Sequence, residues 1–517
     1  MSETLKGGPF EPIDTNKNLT PIKSSLEKDT TVRRDITKSS NTSDDGEPDL
    51  APHLHARTFL AVFAVCLIYV AQVFALVGAG AQGQFIASQF NSPEDSIWIT
   101  APLTILTVVL GPIVSQASDY WGRRWFLIIP SLFGAVGCIV VARASSMGMV
   151  IAGFTILGIA FGAQPLLHTV ASEVLTRRWR SWAQACIMIS NALGIIAGLL
   201  VGGALNRDGN PGGFRNHFYI AMAIFALASL IYLFAYRPLP TKLQTTYSFR
   251  EKIAQLDWIG YGLLASSLVS FCLGLSWSHN PYEWSDPHVS ATFAIGVALA
   301  FGLILYETKF KKDGMFHHGL FKGNRNFTIA LICVSVLYET DFLIVGVRFS
   351  IAFIALIAAS LFTGLYCAVA KKLSTPPELI SVASGLLISV RSLGGTIGIA
   401  IYNAVFISAT NDILQNIGKA GTAAGLPSSS IEQFVTDIVG QNKTGFATIP
   451  GITPEIISAG VDALLDAYTT GFRNVWVSAI GFIVLAAIAS LFLFDPSKEF
   501  NNHIDAPVEK EEDMYSS

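Results

Sequence analysis

From Arg57 onward the chain alternates apolar runs of about twenty residues with short polar stretches. A helix rises about 1.5 Å per residue, so each run is long enough to cross a bilayer. Such runs lie near 57–79, 97–116, 125–142, 147–170, 182–204 and 217–236, and two more near 256–277 and 288–306. A last set follows near 327–347, 349–370, 382–408 and 474–494. The pattern predicts an all-α polytopic membrane protein with twelve spans. The run at 327–347 is the irregular one. Its apolar part, Phe327 to Leu337, covers roughly half the hydrocarbon thickness, and Glu339 and Asp341 then fall near the midplane. An unpaired charge there costs about 2.5–3.5 kcal/mol, so this run reads as a shortened first helix of a second bundle.

The polar flanks set the orientation. Short loops on one side carry Arg123 and Arg124, then Arg177, Arg178 and Arg180, then Arg237, Lys242, Arg250 and Lys252, then Lys309, Lys311, Lys312, Lys322 and Arg325, then Lys371 and Lys372. The other side carries only Arg143, Arg207, Arg215, Arg348, Lys419 and Lys443. The excess of cations belongs in the cytosol, and with it both termini. The polar stretch 410–471 is then an extracellular loop, and Asn442, in Asn442-Lys443-Thr444, is a glycosylation acceptor on the correct side. Residues 1–52 read as a disordered cytosolic tail without a cleaved signal peptide, and 496–517 as an acidic cytosolic tail. Between them come an N-terminal six-helix bundle at 53–237, two linker helices and loops at 238–322, and a C-terminal bundle at 323–495.

Composition narrows the function classes. With 51% hydrophobic and 14% charged residues and a mean hydropathy of +0.50, a lipid bilayer is the chain's partner. A net charge of −3 gives no basis for nucleic acid. Cys66, Cys138, Cys186, Cys272, Cys333 and Cys367 all sit in apolar runs, so they read as small core residues rather than disulfides or zinc ligands. No P-loop, zinc pattern or nucleophile with a base is visible, so no enzyme, metal or cofactor is expected.

Three constellations carry candidate chemistry. In WAQACIMISNALGIIAGLLVGGAL, the fifth run, Gly194, Gly198 and Gly202 recur every four residues with Gly203 beside the last, forming a small-residue seam for another helix. The fourth run carries Gln164 and His168 at i and i+4, on one face and therefore toward a partner or a water-filled cavity. Glu173, at the cytosolic end of that run, reads as a boundary charge. Shifting the fifth run by 200 residues sets Leu193 on Leu393, Gly194 on Gly394, Gly198 on Gly398 and Asn191 on Arg391, a half-repeat of the kind transporters show. Arg391 stands among apolar residues. Either it faces the central cavity with Asn191, binding anionic groups or pairing with an acid, or it snorkels to the cytosolic interface.

These motifs resemble those of the major facilitator superfamily. Its drug-proton exchangers carry GxxxGPxxGG on the fifth helix, matched here except that Leu199 stands for the proline; the resemblance implies that the seam meets a helix of the other half. The loop SDYWGRRW resembles the superfamily's GxLaDRxGRR signature at Asp119, Gly122, Arg123 and Arg124, with Ser115 and Tyr120 as departures, and implies a cytosolic gating latch. The position where such exporters often place a proton-coupling Arg is Phe154. The runs from YVAQVFALVGAGAQGQFIASQF through SDYWGRR, LDWIGYGLL, NPYEW and STPPELISVASGLLISVRSLGGTIG narrow the resemblance to the fungal trichothecene efflux pump family, a 14-span branch with siderophore-transporter relatives. The implied fold is two pseudo-repeated bundles with two extra central helices. Against that pattern the second bundle lacks a helix pair. The implied function is proton-driven efflux of small amphiphilic molecules across the plasma membrane. Siderophore-iron transport is the alternative within transport, and a truncated, non-transporting membrane protein or sensor the alternative outside it.

Overall fold

The computed structural model describes residues 56–176, 178–206, 212–240, 242–277, 282, 285–310, 327–329, 331, 380–410, 412–439 and 445–492. The two tails, Asn442, Glu339, Asp341, the run at 349–370 and most of that at 327–347 lie outside the described residues, as does the question of a missing helix pair.

Among the described residues the regular elements are helical, and eight helices are long and apolar enough to cross a membrane. α1, Ala56–Gln89, outruns the apolar stretch by ten residues. It stops shortly before Asn91, whose φ of 55° is a left-handed conformation that Asn tolerates better than branched residues. α2, Ala101–Trp121, and α3, Arg123–Ala142, are separated by Gly122 alone, at φ 93°. A side chain at that φ is strained, so glycine suits the corner.

The fourth apolar run is broken into α4, Met147–Gly162, and α5, Gln164–Val174. Pro165 has no N–H to donate to the carbonyl of Phe161, and its ring crowds that group, so the helix restarts at Ala163. α6, Arg180–Leu205, and α7, Gly213–Ala235, complete the first bundle. α1 lies against α6 and α7, α3 against α4 and α7, and α2 against α4. α3 and α4 approach each other closely. A Cβ on Gly137 would stand 2.6 Å from the backbone nitrogen of Leu157, and one on Gly153 would stand 2.9 Å from that of Val141. Two apolar clusters fill the bundle, one around Phe74, Phe154, Phe218 and Phe225 and one around Tyr69, Leu127, Leu167 and Ile187.

α8, Lys242–Thr246, and α9, Phe249–Gln255, lead into a hairpin of α10, Trp258–Trp277, and α11, Pro287–Leu305. A capping box starts α9, where the Ser248 N–H donates to Glu251 at 2.8 Å. The hairpin also leans on α2, where Tyr261 donates to Gln116.

α12, Ile380–Ala409, packs on α2, on α5 and on the last helix α15, Pro454–Ser490. Here the structure corrects the sequence reading twice. The final helix starts at Pro454 rather than near 474, with Thr453 accepting the N–H of Ile456 as its cap. Among its described residues the stretch 410–471 is mostly helical, so the connection that the sequence reading treats as a loop is built from short helices. α13, Ile413–Ala423, and α14, Ile431–Val439, close with the start of α15 over Ile417, Leu426, Phe434 and Ile456. Short amphipathic helices with a polar outer face have the composition of a loop, and only their periodicity separates them from one. The cysteines are corrected as well: Cys138 is buried and Cys66 half-buried, but Cys186 is exposed on α6, on surface that lipid would cover.

Candidate functional site

At the end where α2 meets α3, Arg123 gathers three elements. Its Nη2 donates to Asp119 Oδ1 of α2 at 2.9 Å and to Ser381 Oγ of α12 at 3.0 Å. Its Nη1 pairs with Glu173 Oε2 at the end of α5. Asp119 and Arg123 are four residues apart across the Gly122 corner, which brings their heads together. Arg124 turns the other way, donating to the Leu233 carbonyl near the end of α7 at 2.8 Å, with Trp125 under its guanidinium. Of the sequence-predicted Asp119, Gly122, Arg123 and Arg124, the structure brings Asp119 and Arg123 together across Gly122 and sends Arg124 elsewhere. Glu173 is not the boundary charge expected of it; it is buried against Arg123. Charge-assisted pairs of this kind hold strongly where water is thin. Tyr120, where the superfamily pattern has Arg, is buried edge-on to Trp121 and to Tyr247 of the linker.

One helix length away is a second polar node. Arg391 of α12 is 1% exposed. Its Nη1 donates to Tyr69 Oη of α1 at 2.9 Å and its Nη2 to Gln164 Oε1 of α5 at 3.0 Å. The guanidinium does not snorkel to an interface; α1 and α5 hold it. His168 is one turn further along α5, with Nδ1 2.7 Å from Gln184 Oε1 and its ring edge-on to Tyr69 at 5.7 Å. The Gln184 amide donates to the His168 carbonyl at 2.8 Å and to Ser172 Oγ at 2.6 Å. Asn191, the repeat counterpart of Arg391, is buried on α6. Thus Gln164 and His168, chosen for sharing a face, do share one, and Arg391 joins them. Tyr69, Gln184 and Ser381 had escaped notice. Tyr69 and Gln184 each sit in an apolar run where a single polar residue reads as ordinary, and Ser381 opens a helix in which Ser recurs.

Among the described residues the glycine seam meets α1. A Cβ on Gly194 would lie 2.9 Å from Val73 Cβ and 3.1 Å from the Val70 carbonyl; one on Gly198 would lie 3.0 Å from the Phe74 carbonyl. Gly202 faces Gln82 in the same way. These partners, Val70, Val73, Phe74 and Gln82, all belong to α1, in the same bundle. Gly203 is about 100° further round the helix and faces open space.

The assembled parts suit a membrane protein with a polar centre and a charged clasp at one end. A family model described as "Fungal trichothecene efflux pump" matches residues 29–363 and 352–513. The Trichothecene efflux pump TRI12 of Fusarium sporotrichioides is 23% identical over 500 residues, covering 81% of this chain and 82% of that protein. The MFS-type transporter ucsD of an Acremonium species is 28% identical over 236 residues, 44% of this chain and 38% of its own length. Among solved structures, a bacterial homolog to the human lysosomal transporter Spinster, inward-facing and unoccupied, aligns with a TM-score of 0.45 and 19% identity over 85% of this chain and 98% of that one.

Proposed function

Since the chain belongs to the fungal trichothecene efflux pump family of major facilitator transporters, we propose that it exports small amphiphilic molecules of the toxin or drug kind, driven by a proton gradient across the plasma membrane. As a member of that family it is a multi-pass membrane transporter. In this reading both termini are cytosolic, and the substrate sits near the midplane between the two halves.

The observation that carries the reading is Arg391, buried and bonded across to Tyr69 and Gln164. A cation at such depth is expensive unless polar partners or a water-filled cavity receive it. Both ligands belong to the first bundle and Arg391 to the second, so the node bridges the cleft that alternating access would open. The node can therefore receive an electron-rich group of a substrate by exchanging Tyr69 or Gln164 for it. The Asp119–Arg123–Glu173 cluster, tied to Ser381, then acts as the clasp at the cytosolic mouth. Closing it ties α2 and α5 to α12, and opening it frees them.

The test is tolerance and transport together. Cells expressing the chain should survive a trichothecene dose that kills control cells, and Arg391→Ala should abolish the protection at unchanged surface abundance. Inside-out vesicles should take up the trichothecene when a pH gradient is imposed. Protection by Arg391→Ala equal to that of the parent chain would remove the node from transport. Uptake of iron-siderophore complex in place of toxin tolerance would move the substrate class to the siderophore relatives.

A further inference from the structure

At the end of the first bundle opposite the Arg123 clasp, three buried atoms have no hydrogen-bond partner among the described residues: Nε2 and Oε1 of Gln82, and Nδ1 of His217. Gln82 on α1 is 3% exposed and His217 on α7 is 0% exposed. The ring is held firmly. It stacks on Phe74 at 4.2 Å, meets Phe218 edge-on at 5.4 Å, and fills the space a side chain at Gly78 would need. Its Nε2 lies 3.2 Å from the Phe74 carbonyl oxygen. That oxygen can only accept, so Nε2 carries the hydrogen and Nδ1 presents a lone pair. A point one bond out from Gly202 Cα, where a Cβ would be, is 2.9 Å from Gln82 Nε2 and 3.7 Å from His217 Nδ1. Buried polar atoms are normally satisfied. Here unsatisfied atoms from two helices flank the bare face of a glycine on a third. Among the described residues, those against the ring are Phe74, Gly78, Gly202 and Phe218, and none is ionisable. Arg215, two residues before it on α7, donates instead to the carbonyls of Ala142 and Ala144 at 2.8 and 2.9 Å.

We propose that Gln82 and His217 form a proton-binding site, in which a water molecule seated against Gly202 passes a proton to His217 Nδ1. The inference rests on the proton-driven reading above and names a coupling group for it. In the uptake step a hydronium O–H bond breaks and an Nδ1–H bond forms. The bonding pair stays on the oxygen, and the neutral water left behind accepts from Gln82 Nε2, the amide atom that faces Gly202. Release runs the same step backwards. His217 is one turn from the start of α7 and Gln82 two turns from the end of α1, so the site lies near the mouth that the clasp does not guard. A charged ring at that depth needs water beside it. Proton uptake is thereby tied to opening of that mouth and release to its closure.

The experiment uses the full chain in proteoliposomes, with a trichothecene as the transported probe. On an imposed pH step the parent chain should accumulate the probe uphill. His217→Gln should keep downhill exchange and lose the uphill component. Uphill transport by His217→Gln equal to the parent's overturns the site. In parallel, the ring nitrogens of His217 in the labelled parent chain are followed by NMR between about pH 5 and 8. A titrating signal that Gln82→Leu displaces supports the site, and a signal unchanged by pH or by Gln82→Leu overturns it. The ring titration also decides the matter if His217→Gln fails to fold. If the parent chain shows no pH-driven transport, the efflux reading falls, and the titration still judges proton binding separately.

Discussion

The first bundle and the last helix hold their places by different means. Along Met147–Val174, the run of α4 and α5, 72% of the most apolar window is buried inside the protein; along Pro454–Ser490 the figure is 17%. In the first bundle, glycines let backbones touch, as at Gly137 against Leu157 and Gly198 against Phe74. On α15, Val477, Ile480, Val484 and Ile488 point outward, and Gly481 faces open space. Lipid tails are as apolar as leucine, so burying more aliphatic surface does little to draw two membrane helices together. Close approach and polar contacts do. The bundle has both, whereas among the described residues α15 is held on one side only, by Leu464 against Phe434 and Ile438 and by Val475 and Ala479 against Tyr402.

The sharpest way to break this contrast is Gly137→Leu. Its branched side chain would start 2.6 Å from a backbone nitrogen that cannot move alone, so monodisperse protein should be lost on size exclusion. Next is a pair on one helix. Gly198→Leu overpacks α6 against α1, where such changes typically cost about 1–3 kcal/mol, and should depress surface abundance or export; Gly203→Leu, facing open space, should leave both intact. Equal damage from the two would mean that the seam is not a contact surface. Asp119→Asn removes one carboxylate from Arg123 while Glu173 and Ser381 remain, so transport turnover in vesicles should slow with little change in half-saturating probe concentration. The smallest effect belongs to Gly481→Ala, expected to leave the melting temperature unchanged or raise it slightly, because alanine is the better helix former by about 1 kcal/mol. A clear loss there would show that α15 has a close partner.

What the chain betrayed in advance follows the same division. Apolar runs located the helices of the first bundle to within a few residues at most ends, because in lipid every backbone group must be satisfied within its own helix. Gln164 and His168 were legible because polar residues at i and i+4 in such a run need a reason. Arg391 was legible for its charge and its repeat counterpart. Three kinds of feature were hidden. Glu173 looked like a boundary charge since its partner is fifty residues away in sequence. The neighbour of the glycine seam is a matter of packing, and small-residue spacing tells only that some helix comes close. α13, α14 and the first turns of α15 carry so many polar residues that their apolar contacts, Ile417 with Phe434 for example, vanish in any average over a span-sized window.

The break at Ala163 has a mechanical meaning. α5 is only eleven residues long, and each of them is buried. It carries Gln164, the contact of Arg391, at one tip, and Glu173, the contact of Arg123, near the other. A helix of that length is a stiff rod, with those two residues about 14 Å apart along its axis. In the proposed reading, with the backbone interrupted beside Gln164, the rod has its pivot where Arg391 is held and its far arm at the clasp. On that reading a slight tilt at the pivot would become a larger sweep at Glu173, so a ligand that displaced Gln164 by a fraction of an ångström would shift the far carboxylate by more.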